Sequence, residues 1–293
     1  MLIDIHTHCS FKSGLTRANG TRYPEPEELI AALDASGIDK AVVLSTVSPE
    51  CRYVLVPPEH SLAIATEYPD RLIPFCSLDP RFLTNSTDAD FTEYLEYYKA
   101  LGCKGVGEYI PNIPLDHDLN MNVFSHVEKS GLPLTFHLTP EIGGNYGCVD
   151  DLGLPRLEHV LRSFPALTLL GHSQVFWAEI GTDVDKTSRE GYPAGSVEPG
   201  RLVDLMRSHQ NLHGDLSAGS GFNAISRDPE FGYEFMTEFQ DRLYFGTDIA
   251  NVPQDLPIVD YFRKLDREEL IGGEALEKIT WRNANKLLRL GLK

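Results

Sequence analysis

Two histidines spaced by one residue, His6 and His8, close an apolar run that begins Leu2-Ile3-Asp4-Ile5. On a strand, side chains alternate between faces, so both imidazoles are expected to project the same way while Ile3 and Ile5 cover the other face. Paired neutral imidazoles are half of a site for Zn²⁺ or a similar borderline metal, which binds nitrogen at about 2.0–2.1 Å, and a strand holds them without the cost of ordering a loop. A lone His-x-His pair is equally at home as polar residues where a strand meets solvent. The remaining donors must come from elsewhere in the chain.

The elements that would bring them together can be read from periodicity. Short β-rich apolar runs alternate with longer segments of helical period, which predicts parallel strands joined by helical crossovers. Strands are expected near 2–8, 40–46, 72–78, 104–109, 132–138, 167–172, 211–217 and 243–248. Between them, 25–36 carries Leu29, Ile30 and Leu33 on one side, and 91–101 carries Phe91, Leu95 and Tyr98. Gly37, Gly102 and Gly131 stand where left-handed helix caps are expected. Eight such units without a linker predict an α/β fold, a (β/α)₈ TIM barrel in which residues 1–293 form a single domain. Two parts exceed the minimal barrel. A long polar loop, about 181–200, follows the sixth strand and is expected over the site, although Lys186, Arg189 and Glu190 would also suit a solvated insertion. An extra C-terminal helix is expected over 273–290, with Leu276, Ile279, Leu287 and Leu288 as its apolar face.

A barrel of this kind carries its active site at the C-terminal ends of the strands. The first predicted strand ends in His6 and His8, the fourth in Glu108, the fifth carries His137, the sixth ends in His172 and the eighth in Asp248. Each has an ordinary explanation, as a hydrogen-bonded core histidine or a helix-capping carboxylate. Six ionisable groups at one end of five strands are another matter, since burying them is costly unless they bind a cation or one another.

This arrangement resembles the amidohydrolase superfamily, from Asp4-Ile5-His6-Thr7-His8 through Gly171-His172-Ser173 and Phe245-Gly246-Thr247-Asp248 to the closing 279–287 segment Ile-Thr-Trp-Arg-Asn-Ala-Asn-Lys-Leu. Within it the chain looks most like the amidohydrolase-related branch that includes aminocarboxymuconate-semialdehyde and γ-resorcylate decarboxylases and several hydrolases. The resemblance implies one divalent metal, zinc first and manganese as an alternative, held by His6, His8, His137 and Asp248. It places His172 beside the site as a proton-transfer residue. Many superfamily members bridge two metals with a carboxylated lysine on the fourth strand. Here Glu108 stands near that place and could bind a second ion, contact substrate or stabilise the site, while Lys104 lies at the wrong end of the strand.

The leading expectation is metal-assisted hydrolysis of an ester, lactone or amide-type bond in a small molecule, with His172 and Asp248 as the catalytic side chains. The alternative is non-oxidative decarboxylation of a small aromatic or unsaturated acid, which needs a cation to hold the carboxylate; Arg17, Arg22, Arg52 and Arg227 are the candidates. A non-catalytic metal-binding barrel is a third reading. Tyr109, Tyr146, Trp177, Ser217 and Asn251 end or follow strands and are expected to line the substrate pocket. The backbone of Ser217-Ala218-Gly219-Ser220-Gly221 could approach an anionic group.

Composition narrows the partners. With 26 Lys and Arg against 43 Asp and Glu, the formal charge of −17 repels phosphate backbones and anionic membranes, so a nucleic-acid partner is not expected. There is no long apolar run for a membrane span and no basic-then-apolar leader, which points to a cytoplasmic protein. The five cysteines, Cys9, Cys51, Cys76, Cys103 and Cys148, are scattered and read as reduced thiols rather than a disulfide or zinc framework. A homo-oligomer follows from the resemblance alone.

Overall fold

The computed structural model describes residues 1–12 and 14–293. The strands in chain order are β1 (Ile3–Thr7), β2 (Lys40–Val43), β3 (Leu72–Pro74), β4 (Val106–Tyr109), β5 (Leu134–Thr139), β6 (Cys148–Val149), β7 (Leu169–His172), β8 (Leu212–Asp215) and β9 (Leu243–Tyr244). All eight predicted strands are present, each shorter than expected although β5 runs one residue past its expected end, and β6 is a two-residue addition that pairs with the outer end of β5. The crossovers are α1 (Pro26–Ser36), α2 (Pro58–Glu67), α3 (Thr92–Ala100), α4 (Asp118–Ser130), α5 (Pro155–Ser163), α6 (Gln174–Ala178), α7 (Arg201–Ser208), α8 (Ala218–Ser226), α9 (Pro229–Glu238) and α10 (Pro257–Arg267). Gly37 and Gly131 end α1 and α4 in the left-handed conformation that a Cβ disfavours.

Parallel pairing runs β1-β2-β3 and β4-β5-β7-β8-β9. Backbone hydrogen bonds close both gaps. Lys104 N donates to Pro74 O at 2.9 Å and Gly107 N to Cys76 O at 2.7 Å, joining β3 to β4. Ile5 N donates to Phe245 O at 3.0 Å, Asp248 N to His6 O at 2.9 Å and His8 N to Ile249 O at 2.8 Å, joining β1 to the chain beyond β9. Asp4 clamps this second seam: its buried carboxylate accepts from the backbone N–H groups of His6 and Thr247, both at 3.0 Å, and from the Thr247 hydroxyl.

Inside the barrel, Ile3, Ile5, Val42, Leu44, Ile73, Phe75, Leu170 and Tyr244 pack with Ala284 and Leu288 from the C-terminal segment, which seals the interior below the site. That segment is α11 (Gly273–Glu277), a π-helical turn (Lys278–Arg282) and α12 (Asn283–Leu287) rather than one regular helix. The wider turn rotates the buried face, so Ala275, Ile279, Asn283, Ala284 and Leu288 are buried while Leu276 and Leu287 are half-buried. The expected two-sided β1 is also altered. Its register against β2 slips between Asp4 and Thr7, so Ile3 and Ile5 join the interior plug although His6 serves the site directly above.

The 181–200 loop is tied to the elements around it by two arginines. Arg189, which would also suit a solvated insertion, is 2% exposed and pairs with Glu179 at 3.0 Å while donating to Asp150 O at 3.0 Å. Arg227 makes a bidentate pair with Asp183 of the same loop at 2.7 and 2.9 Å. Among the described residues no helix is long and apolar enough to cross a membrane. All five cysteines are free, with Cys51 alone exposed.

Candidate metal centre

His6, His8 and Asp248 converge because the β1 seam is built from their own backbone. His6 Nε2 lies 3.1 Å from His8 Nε2 and 3.5 Å from Asp248 Oδ1, and His8 Nε2 lies 3.3 Å from the same oxygen. Ligands about 2.1 Å from a tetrahedral ion stand about 3.4 Å apart, so these three donor atoms are spaced to hold one. The arrangement is held at a local cost, since Asp248 adopts a left-handed φ of 55°.

Each imidazole is turned by a neighbour. Asp215 Oδ2 accepts from His6 Nδ1 at 2.6 Å, which leaves Nε2 to face the cluster, the usual support for a metal-binding histidine. Its other oxygen accepts from Ser217 N at 3.0 Å. Glu108 Oε1 accepts from His137 Nδ1 at 2.8 Å, and Ser217 Oγ lies 3.0 Å from His172 Nδ1. His8 has no such partner: its Nδ1 is buried and unpaired, and the ring instead stacks on Tyr23 with centroids 5.3 Å apart.

The electrostatics follow from burial and these contacts. Burial pushes His6 down, but the carboxylates of Asp215 and Asp248 outweigh it and carry the ring up to about 10. Burial keeps His8 low and brings His172 down to about 4, with His6 adding to the effect on His172, so both favour the neutral form that binds metal or accepts a proton. Against the burial that would raise it, the facing imidazoles hold Asp248 down to about 2. Glu108 and Asp215 are likewise driven below the ordinary carboxylate range by His137 and His6, despite complete burial.

His137 stands one step away from the first three donors. It faces His172 across the β5–β7 register and groups with Glu108 and His172. Glu108 links the two groups, its Oε2 3.7 Å from His8 Nε2. The anticipated ligands therefore fall into three overlapping groups, His6 with His8 and Asp248, His6 with His172 and Asp215, and His137 with Glu108 and His172, so His6 and His172 join His137 to the first three donors.

Of the expected pocket residues, Ser217 contacts His172, and Tyr146 lies 4.7 Å from the His137 ring. Asn251 sits at the rim, its side-chain oxygen 3.4 Å from Arg17. Tyr109 and Trp177 are elsewhere. The Tyr109 hydroxyl is spent on Asn120 at 2.7 Å and its ring packs on Phe124, while the Trp177 indole donates to Asp215 O at 2.9 Å. Trp177 leans on the sheet where Gly214 leaves room, since a Cβ there would come within 2.7 Å of the indole. Arg22 and Arg227 are paired with Glu28 and Asp183.

Arg52 and Arg17 line a cavity of ≈ 240 Å³ at the mouth, together with Tyr53, Asn145 and Tyr146. Arg52 Cζ lies 4.2 Å from the Tyr146 ring centre, and its Nη1 is 3.8 Å from Glu108 Oε2 without a hydrogen-bond partner. Asp215 and Tyr23 went unrecognised in the sequence. Asp215 carried a signal, a carboxylate near the C-terminal end of a predicted strand, whereas nothing in the spacing around Tyr23 points to the site.

A closed parallel barrel with clustered imidazoles and carboxylates at its C-terminal mouth has the architecture of a metal-dependent TIM-barrel enzyme. The chain belongs to the amidohydrolase family, whose sequence model matches residues 3–290. Among solved structures it is similar to an uncharacterised TIM-barrel protein from Bordetella bronchiseptica (19% identity, 98% of each chain, TM-score 0.69). It is also similar to a probable 2-pyrone-4,6-dicarboxylic acid hydrolase from Acinetobacter baumannii (15% identity, 98% of this chain and 99% of that one, TM-score 0.60). A third is 5-carboxyvanillate decarboxylase from Novosphingobium aromaticivorans, complexed with manganese and 4-hydroxy-3-methoxy-5-nitrobenzoic acid (16% identity, 99% of this chain and 96% of that one, TM-score 0.60). At such identities the likeness speaks for the fold. No curated protein matches the sequence.

Proposed function

We propose that this protein is a metal-dependent hydrolase of a small carboxylate-bearing molecule, opening an ester, lactone or amide-type bond. The observation that carries the reading is the spacing of the His6, His8 and Asp248 donor atoms, 3.1–3.5 Å apart around a common point. A divalent ion held there, zinc or manganese, would supply Lewis acidity toward a carbonyl and a water acidified from a pKa of 15.7 to about 7. Asp215 holds the His6 ring so that Nε2 faces the cluster. His172, neutral and tied to Ser217 through Nδ1, keeps its other nitrogen for a proton. Glu108 fixes His137 beside it and, as a second reading of its carboxylate, could help hold a second ion. Arg52 turns an unpaired N–H toward the edge of the cluster, where a substrate carboxylate would satisfy it.

The same Arg52 favours a second reading, non-oxidative decarboxylation of a small aromatic or unsaturated acid, because that reaction requires a cation to seat the departing carboxylate beside the metal. The test is elemental analysis of the purified protein followed by a panel of lactones, esters, amides and aromatic acids, scored for acid release and for CO₂ release. Bound divalent metal and acid release, both lost in His6→Ala, support hydrolysis; CO₂ release supports the second reading. Protein without metal, and with no gain in Tm on adding Zn²⁺ or Mn²⁺, refutes both.

A further inference from the structure

Of the three donors around the common point, Asp248 alone sits on a backbone held at positive φ, 55°. There an L residue brings its Cβ against the following carbonyl oxygen, and an unrestrained aspartate returns to negative φ, which swings its carboxylate to another side of the chain. The conformation therefore has to be held. The β1 seam holds its N–H side, with Asp248 N donating to His6 O at 2.9 Å. The carbonyl side lies outside the seam, and there Asp248 O accepts from Gln254 Nε2 at 2.8 Å.

The same amide closes the connection that follows. Gln254 Oε1 accepts from Ala250 N at 2.9 Å and from Asn251 N at 3.3 Å, so one planar group takes two N–H donors and satisfies one carbonyl. Gln254 stands half-buried between exposed Pro253 and exposed Asp255, yet all three bonds run back toward Asp248. None of them caps α10, whose N-terminal flank is Leu256. A carboxylate at this position would keep the two N–H partners and set a lone pair against the Asp248 carbonyl, whereas an apolar side chain would lose all three bonds.

We propose that Gln254 is the positioning residue of the Asp248 ligand: by bonding the Asp248 carbonyl it keeps the left-handed backbone that aims Oδ1 at the point shared with His6 and His8. The inference rests on the metal-centre reading above and adds to it a residue from outside the strands. Asp215 turns an imidazole through its ring nitrogen; Gln254 acts on a ligand through its main chain.

The experiment is chelator competition for Zn²⁺ by wild-type protein, Gln254→Met and Gln254→Glu, with a urea titration of each metal-free form. Zn²⁺ affinity should fall about tenfold in Gln254→Met, the lower end for a partner behind a metal ligand because the bond is to the ligand's backbone, while the urea midpoint of the metal-free protein moves little. Gln254→Glu should fall by a similar factor. Its added charge by itself draws a cation, so a fall reports a displaced Asp248 carboxylate. Saturated with Co²⁺, both variants should differ from wild type in their visible d–d bands, which follow ligand geometry and which a loss of stability alone would leave unchanged. Zn²⁺ affinity within about twofold of wild type, or tighter, in either folded variant overturns the proposal and leaves the metal centre standing. Wild-type protein that binds no Zn²⁺ overturns both. Gln254→Glu keeps the two N–H partners of the loop, so it carries the test should Gln254→Met fold poorly.

Discussion

Asp215→Asn is the sharpest probe of how the metal centre is built. Both Asp215 oxygens act as acceptors, Oδ2 from His6 Nδ1 at 2.6 Å and Oδ1 from Ser217 N at 3.0 Å, and the carboxylate is fully buried. An amide presents one acceptor and one donor. In one orientation its N–H₂ faces His6 Nδ1 and draws the ring into the tautomer with the proton on Nε2, which removes the lone pair the metal needs. In the other, its N–H₂ opposes the Ser217 N–H, and the bond to His6 loses its charge assistance. Either way the loss is that of an outer carboxylate behind a ligating imidazole, about 10–100-fold in metal affinity or about 1.4–2.7 kcal/mol. Competition against a chromogenic chelator, with Zn²⁺ and separately with Mn²⁺, measures it, and a urea titration of the metal-free variant verifies the fold. Affinity within about twofold of wild type in a folded variant would refute the assignment of His6 as a ligand oriented by Asp215.

Three further outcomes are expected. Arg189→Met removes the partner of Glu179 where both side chains are 2–3% exposed, so stability should fall by about 3 kcal/mol and trypsin should cut faster at exposed Lys186 in the same loop; unchanged cleavage would mean the pair does not anchor the loop. His213 bonds the Tyr244 hydroxyl at 2.8 Å and is brought down to about 4 by burial, so the unfolded chain takes up its proton first: stability contributed above about pH 6.5 is lost as pH falls toward 4. The loss is at most about 3 kcal/mol, reduced by partial exposure of the ring, and comparison of urea titrations of wild type and His213→Phe at several pH values should show it only in the wild type. For Arg52→Met, a hydrolase using the carboxylate as a handle should show a KM raised about tenfold with kcat kept, whereas a decarboxylase should lose kcat as well; equal kinetics in variant and wild type would remove Arg52 from the site.

The barrel was legible because short apolar runs alternate with segments of helical period, three of the helices closing on a glycine (Gly37, Gly102 and Gly131), and the site because a parallel barrel forces every strand's C-terminal end to one mouth. That reasoning brings His6, His8, His172 and Asp248 to one end of the barrel without any knowledge of distance. It does not fix which way each side chain turns. Which way the last residue of a strand or a residue of the following helix turns depends on the local backbone, which is why Tyr109, at the end of β4, and Trp177, in α6, read as pocket residues yet pack behind the sheet. The slip in β1 was invisible for the same reason, since alternation assumes a regular pleat. Arg52 and Tyr23 come from irregular connections, where no periodicity reports which side chains meet.

The imidazoles differ in what stands behind them, and the difference ties the two halves of the site together. His6, His137 and His172 are each turned by an oxygen from within two residues of a strand's C-terminal end: Asp215, Glu108 and Ser217. Their orientation is a property of the barrel, settled by strand register before any ligand arrives. His8 lies beyond the end of β1 and has no oxygen behind its Nδ1, so its ring is placed by stacking on Tyr23. Tyr23 in turn touches both arginines of the cavity. Of the three donors around the common point, His8 is the one whose ring rests on a residue that also touches both arginines of the cavity, while His6 and Asp248 are tied to each other through the β1 seam.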